Sequence, residues 1–354
     1  MGSQRRVFLA ATGLLHRVAA FCSILPSSSA GAAGSAAAVA TCSVLSAAST
    51  MPFKSRSVDQ VVLSVAQAEG AGATVRRSIG GAKLRNFDPF LMLDEAKVAP
   101  PAGFPDHPHR GFETVSYMLE GTFKHEDFVG HRGDIGKGDL QWMTAGRGIL
   151  HSEMPGPEGA HGLQLWVNLA AKDKMCEPAY QELKKEDIPV AVEGGVTAVV
   201  IAGSALGVTS PVYTRTPTSY IHFKMQPRSS VDQAIPVGWN CFLYTLGGAV
   251  AVGEAGSAAD TKDEPILEPI GAHHTVTLTR DGDGVTLRTL DEPADFVLIG
   301  GQPLNEPIVQ HGPFVMNTRE EIMQAMRDYQ TGQNGFENAR GWYSEIGLPI
   351  THAR

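Results

Sequence analysis

The chain has 354 residues, 43% hydrophobic and 19% charged, with a net charge of -8. That length gives room for about two ordinary domains, and the composition is neither that of a disordered chain nor that of a membrane-embedded one. Residues 1–50 hold three arginines and no acid, so the remainder carries -8 - 3 = -11. An acidic body speaks against a general grip on nucleic acid, which needs a basic face.

The four cysteines (Cys22, Cys42, Cys176 and Cys241) form no CxxC pair. A disulfide framework or thiolate zinc site is not expected, and a reducing compartment fits. Any metal would be held by nitrogen and oxygen.

No acid occurs before Asp59. On a helical wheel of residues 5–21, Arg5, Arg6, His16 and Arg17 fall within a sector of about 120°. Val7, Phe8, Leu14, Leu15, Val18 and Phe21 gather opposite. A basic amphipathic helix followed by Ala/Ser/Gly-rich sequence reads as an organelle transit peptide, mitochondrial first and plastid next. A twin-arginine export signal is a weaker reading, since His16-Arg17 cut its apolar segment short, and so is a membrane span, since Ala, Ser, Gly and Pro26 dominate the uncharged stretch 18–53. Met51 offers an internal start that would leave the product in the cytoplasm or nucleus. Residues 1–50 are set apart from the fold as a targeting extension.

From Val58 onward short apolar runs are broken by Gly, Pro and Asp. Thr114–Leu119 and Leu163–Leu169 are examples. In the second, Leu163, Leu165 and Val167 alternate with Gln164, Trp166 and Asn168. Many short strands with glycine turns indicate an all-β chain of sandwiches or barrels. A polar stretch through Lys184–Asp187 and Glu193–Gly195 marks a boundary, giving domains at 51–190 and 191–345 and a tail at 346–354. Strands are expected at 196–202, 218–225, 241–246, 249–252, 274–279, 284–290 and 295–300, with Gly282-Asp283-Gly284 as a hairpin-like turn. Thr318-Arg319-Glu320-Glu321 has capping-box form and opens a helix through about Tyr329, stopped by Gly332. Ile322, Met323 and Met326 would form its packing stripe.

The chemistry gathers at His107-Pro108-His109 and His151-Ser152-Glu153. Alternate residues of a strand leave the same face, so each pair can send both side chains into one cavity. Two such strands would bring three imidazoles and a carboxylate together. Pro108 fixes φ and lacks an N–H, which suits an edge strand or a partly polyproline-like segment. Trp142, Met143, Phe128 and Trp166 read as barrel core before pocket lining, and His125, His131 and His161 as surface or hydrogen-bonding residues. Arg110 would hold either an anionic ligand or a neighbouring carboxylate.

His107-Pro108-His109 followed by Glu113 and Gly121, with His151 downstream, approximates the two halves of the cupin pattern. Thr144 stands where proline is usual, and two extra residues precede His151. The wording HPHRGFETVSYMLEG, HEDFVGHRGDIGKGDLQWMTAGRGILHSEMP, HGLQLWVNL and GGQPLNEPIVQHGPFVMNTREEI closely resembles the pirin family, over about residues 54–345. The resemblance implies two tandem cupin-type barrels with a short C-terminal helix, of which only the first carries metal ligands. It implies an iron site at His107, His109, His151 and Glu153, with Glu113 beside the ligands and either glutamate as proton acceptor. Fe2+ is the implied ion, and zinc or copper would suit the same donors. The implied activity is a quercetin 2,3-dioxygenase type of reaction on a flavonol or another phenolic or enediol compound. The rival reading is an iron redox-sensing co-regulator that binds a protein such as a transcription factor. Neither direct nucleic-acid binding nor a membrane partner is implied, and pirins are generally monomeric.

Overall fold

Alternation along Leu163–Asn168 splits one strand between two environments. Leu163, Leu165 and Val167 lie in a buried apolar layer with Val115, Tyr117 and Trp142, whereas Gln164 and Trp166 line a cavity on the other face. The computed structural model describes residues 53–253 and 268–347. The expected transit helix and the Met51 start lie outside the described residues, as does most of the tail.

In chain order the first ten strands are β1 (Val58–Leu63), β2 (Ala66–Glu69), β3 (Ala73–Ile79), β4 (Phe90–Val98), β5 (Phe104–His109), β6 (Phe112–Asp127), β7 (Arg132–Gly136), β8 (Leu140–Thr144), β9 (Ile149–Asn168) and β10 (Ala179–Leu183). All but β1 form one sheet in the order β10-β8-β6-β9-β4-β3-β2, with β5 joined to β9 and β7 to β6. The long strands β6 and β9 bend together. Phe112–Met118 pairs with Gly162–Asn168, and Phe123–Asp127 pairs with His151–Pro155. At the corner Gly121 has φ +69°, and a Cβ there would meet the Gly159 carbonyl oxygen at 2.1 Å. Only glycine accepts both that dihedral and that approach. The two arms enclose Val75, Ala96, Met118, Phe123 and Ile135, so the sheet closes on itself as a barrel.

The second half builds a seven-stranded sheet from β1, His274–Leu278, Asn240–Gly248, Ala294–Gly301, Thr218–Met225, Val196–Ala202 and Val190–Glu193, in that order. One face packs Ile221, Phe223, Leu243 and Phe296 against Val285 and Leu287 of a three-stranded sheet. The opposite face presents Tyr220, Phe242, Tyr244 and Ile299 to the first barrel. Each large apolar side chain buried between the barrels contributes about 1.5–3 kcal/mol, and this layer fixes them together.

The strands expected in this half are present, but the turn at Gly282-Asp283-Gly284 closes no hairpin. Its flanking strands, His274–Leu278 and Gly284–Arg288, belong to different sheets, so it carries the chain across the sandwich. Turn chemistry is local; the choice of sheet is not.

The described chain crosses between the barrels near both its ends. Strand β1 adds to the second sheet, with Val61 opposite Val276 and Leu63 opposite His274. At the other end, strands Val309–His311 and Phe314–Met316 and helix α1 (Arg319–Thr331) return to the first barrel. There Phe314, Met316, Ile322, Ala325 and Phe336 pack with Met143, Ile149 and Leu150. Helix α1 starts on the expected capping box. Thr318 Oγ1 accepts the Glu321 N–H and the Glu321 carboxylate accepts the Thr318 N–H, while Gly332 closes the helix in the left-handed region. Met323 departs from the expected stripe. It is exposed, and Ala325 takes the inward place three residues after Ile322, as a row at helical spacing requires.

Candidate metal centre

Strand β5 is an edge, joined only to β9, which accommodates the N–H that Pro108 lacks. Its register sets His107 directly opposite His151 and His109 opposite Ile149. The imidazoles converge. The Nε2 atoms of His151 and His107 are 3.0 Å apart, and one potential ligand atom from each of His107, His109 and His151 lies within 4.8 Å of the others. The His107 ring meets those of His109 and His151 at 4.7 and 4.4 Å. Phe112 and Trp166 bracket His109 at 5.1 and 5.2 Å.

Protonation favours ligation. Burial, reinforced by neighbouring imidazoles, holds His109 and His151 well below the ordinary histidine range, and the neutral ring is the form that binds metal. His107 Nδ1 lies 2.9 Å from the Pro105 carbonyl. The N–H must therefore sit on Nδ1, leaving Nε2 with its lone pair toward the cluster. His109 is buried, and neither ring nitrogen makes a well-formed hydrogen bond, although the Pro313 carbonyl lies near enough to favour the protonated ring. Buried polar groups are normally satisfied, so these nitrogens fit a residue that waits for an ion.

Glu153 stands beside the histidines without joining their close group. Its Oε1 accepts from Ser116 Oγ at 3.2 Å and its Oε2 from Gln164 Nε2 at 2.8 Å. Gln164 in turn accepts from the Trp166 indole at 3.1 Å. The carboxylate is thus oriented along the wall of a cavity of 620 Å3. Met92, Phe104, Met118, Phe123 and Trp166 form apolar surface there, and His107, His109 and Glu153 line the same space. On the β3–β4 side Arg77 pairs with Asp94 and Glu69, both at 2.7 Å. Ser116, Gln164, Arg77 and Asp94 escaped the sequence analysis. The alternation of Gln164 with buried leucines was the usable signal for one of them; the others carry no local mark.

Glu113, expected beside the ligands, is not brought to them. Along β6, Ser116 and Met118 face the cavity, whereas Val115 and Tyr117 face the layer between the barrels. Period two puts Glu113 with the latter. Its Oε1 accepts from Thr144 Oγ1 at 2.7 Å, and the nearby Trp142 indole N–H is a second donor to the carboxyl. Burial pushes its pKa up to about 7. A carboxyl whose pKa is raised on folding contributes stability below its unfolded value, lost as pH rises through the folded one. Between about pH 4.5 and 7 the wild type is expected to lose about 3 kcal/mol from this group. Glu113→Gln should flatten that slope in urea denaturation at pH 5 and pH 8; an unchanged slope would remove the assignment.

Other histidines pair with carboxylates. Glu182 pairs with buried His125, Asp127 with exposed His131, and Glu95 with both His161 and His273. Trp142, Met143 and Phe128 are core, while Trp166 is cavity wall. Arg110 holds a neighbouring carboxylate, Asp328 at 2.8 Å.

Fold and site together define a two-barrel cupin with a three-histidine group suited to a metal ion in its first barrel. The family profiles for pirin and for the pirin C-terminal cupin domain match residues 72–167 and 220–335. A pirin-like protein of Solanum lycopersicum is 57% identical over 82% of this chain and 97% of its own length. Homo sapiens pirin is 57% identical over 83% of this chain and 99% of its own length. A solved quercetin 2,3-dioxygenase of Acinetobacter baumannii is 34% identical with a TM-score of 0.69, covering 78% of this chain and 98% of that one. The chain belongs to the pirin family.

Proposed function

We propose that the cluster binds Fe2+ through His107, His109, His151 and Glu153, and that the protein is a dioxygenase acting on a flavonol of the quercetin type. The observation that carries this reading is that His107 and His109, two of the three clustered imidazoles, open into a 620 Å3 cavity with aromatic walls. Likeness to the Acinetobacter baumannii dioxygenase supports it. Iron held there would supply Lewis acidity to vicinal substrate oxygens and an electron source for dioxygen.

The chain's own residues do the rest. Phe104, Met118, Phe123 and Trp166 offer a flat aromatic substrate apolar contact and displace water around it. Glu153, held by Ser116 and Gln164, is placed to accept the proton of a substrate hydroxyl. Glu113 faces away, so that role falls to Glu153. Residues 1–50 add an organellar address to the proposal, mitochondrial first.

Anaerobic mixing of iron-loaded protein with quercetin, followed by air, should bleach the flavonol absorbance. His151→Ala should not. Bleaching no faster than that variant, with iron retained by the wild type, would sink the dioxygenase reading in favour of protein binding without turnover.

A further inference from the structure

Strand β5 carries two of the ligands on a weak attachment. It borders β9 alone, its register breaks between Phe104 and His107, and Pro108 offers no N–H. Its ends are fastened elsewhere. The Arg110 N–H donates to the Pro313 carbonyl and the Val315 N–H to the Arg110 carbonyl, and Gly103 bridges to Ala71. The stretch between them is held by a residue far away in sequence.

We propose that Ser344 is a positioning residue for the metal centre, tying the strand of His107 and His109 to the strand of His151 and Glu153 from outside the barrel. The inference rests on reading the histidine cluster as a metal centre. Ser344 is completely buried. Its hydroxyl accepts from Ser152 Oγ at 2.9 Å and donates to Asp106 Oδ1. Its own N–H donates to Asp106 Oδ2 at 3.2 Å. Asp106 directly precedes His107, and Ser152 lies between His151 and Glu153. On an extended chain, neighbours of inward side chains point outward, so one hydroxyl grips the back of both ligand strands. The Gly347 N–H also donates to it, at 3.0 Å. With one proton given and two bonds accepted, the hydroxyl is saturated.

The surrounding segment is docked independently of that hydroxyl. The N–H groups of Glu345 and Ile346 donate to Glu126 Oε2, and Arg132 pairs with Glu345. Removing the Ser344 hydroxyl therefore cuts the Ser152 arm and one of the two Asp106 bonds, which breaks the link between the strands and leaves the segment in place. Its consequence falls on the separation of His107 and His151, the pair that stands directly opposite across β5 and β9. Groups that orient metal ligands typically change affinity 10–100-fold when lost.

The test uses the full chain with Co2+ as probe, reading affinity by chelator competition, the visible ligand-field spectrum, and the melting temperature of the metal-free protein. Ser344→Ala should weaken Co2+ binding about 10-fold or more and shift the visible bands. Thr318→Ala, which removes the capping box of α1 and loosens the same C-terminal region without touching a ligand strand, should lower the melting temperature and leave both metal readouts unchanged. Ser152→Ala cuts one arm of the tie and should move affinity and spectrum in the same direction as Ser344→Ala, keeping the test readable if that variant does not fold. Unchanged affinity and bands in both serine variants, or equal changes in Thr318→Ala, would overturn the proposal while the metal centre stands. No Co2+ uptake by the wild type would overturn the metal centre, and this proposal with it.

Discussion

His109→Leu is expected to abolish tight metal binding and, at the same time, to make the metal-free protein more stable than metal-free wild type. The two effects have one source. His109 is buried among Phe112 and Trp166, with neither ring nitrogen in a well-formed hydrogen bond. An unsatisfied buried polar group costs about 1–3 kcal/mol, and leucine of similar bulk removes that cost. Loss of a direct ligand should exceed the 10–100-fold effect of losing an orienting group, so affinity should fall by more than about 100-fold. Urea denaturation of metal-free protein, with and without added Fe2+ under anaerobic conditions, checks both halves. The wild type should gain stability from the ion by mass action and the variant should not. A metal-free variant less stable than wild type by several kcal/mol would show that the His109 nitrogens are satisfied after all.

The second large effect is placed at Arg110, immediately after a ligand. Its guanidinium donates to Asp328 at 2.8 Å, to the Arg147 carbonyl at 2.6 Å and to the Asn334 carbonyl at 2.7 Å, and it lies 4.9 Å from the centre of the Phe336 ring. Both charged partners are almost fully buried. Breaking a buried pair by removing one partner costs about 3–5 kcal/mol, because the other charge is stranded. Arg110→Met should show that loss in urea denaturation and loosen the return of α1 onto the first barrel. Arg110→Met with Asp328→Leu should recover much of it, since apolar replacement of a whole buried pair is often neutral or better. A single variant within about 1 kcal/mol of wild type would mean the pair is solvated.

Near-neighbour patterns decided much of this protein before any fold was known. The i, i+2 spacing in His107-Pro108-His109 and His151-Ser152-Glu153 depends only on strand geometry, so three imidazoles meet where that spacing says they should. Thr318, Glu321 and Gly332 set the limits of α1 because caps act within one turn. The alternation at Leu163–Leu169 set Gln164 on the face opposite the core leucines, but Trp166, read as barrel core, lines the cavity beside it instead.

Tertiary structure alone decided what lies outside those short ranges. The expectation for Glu113 followed a linear motif, yet the face of a strand is set by its phase relative to the bend at Gly121, and that phase turned Glu113 away from the histidines. The turn at Gly282 showed its chemistry but not which sheets it would join. Arg110–Asp328 and Ser344–Asp106 span 218 and 238 residues, and β1 joins a strand more than two hundred residues downstream. Such contacts leave no periodic trace, because their free energy comes from surfaces that exist only after both barrels have closed. The ligands of the proposed centre were written locally; what holds their strands together was written at the far end of the chain.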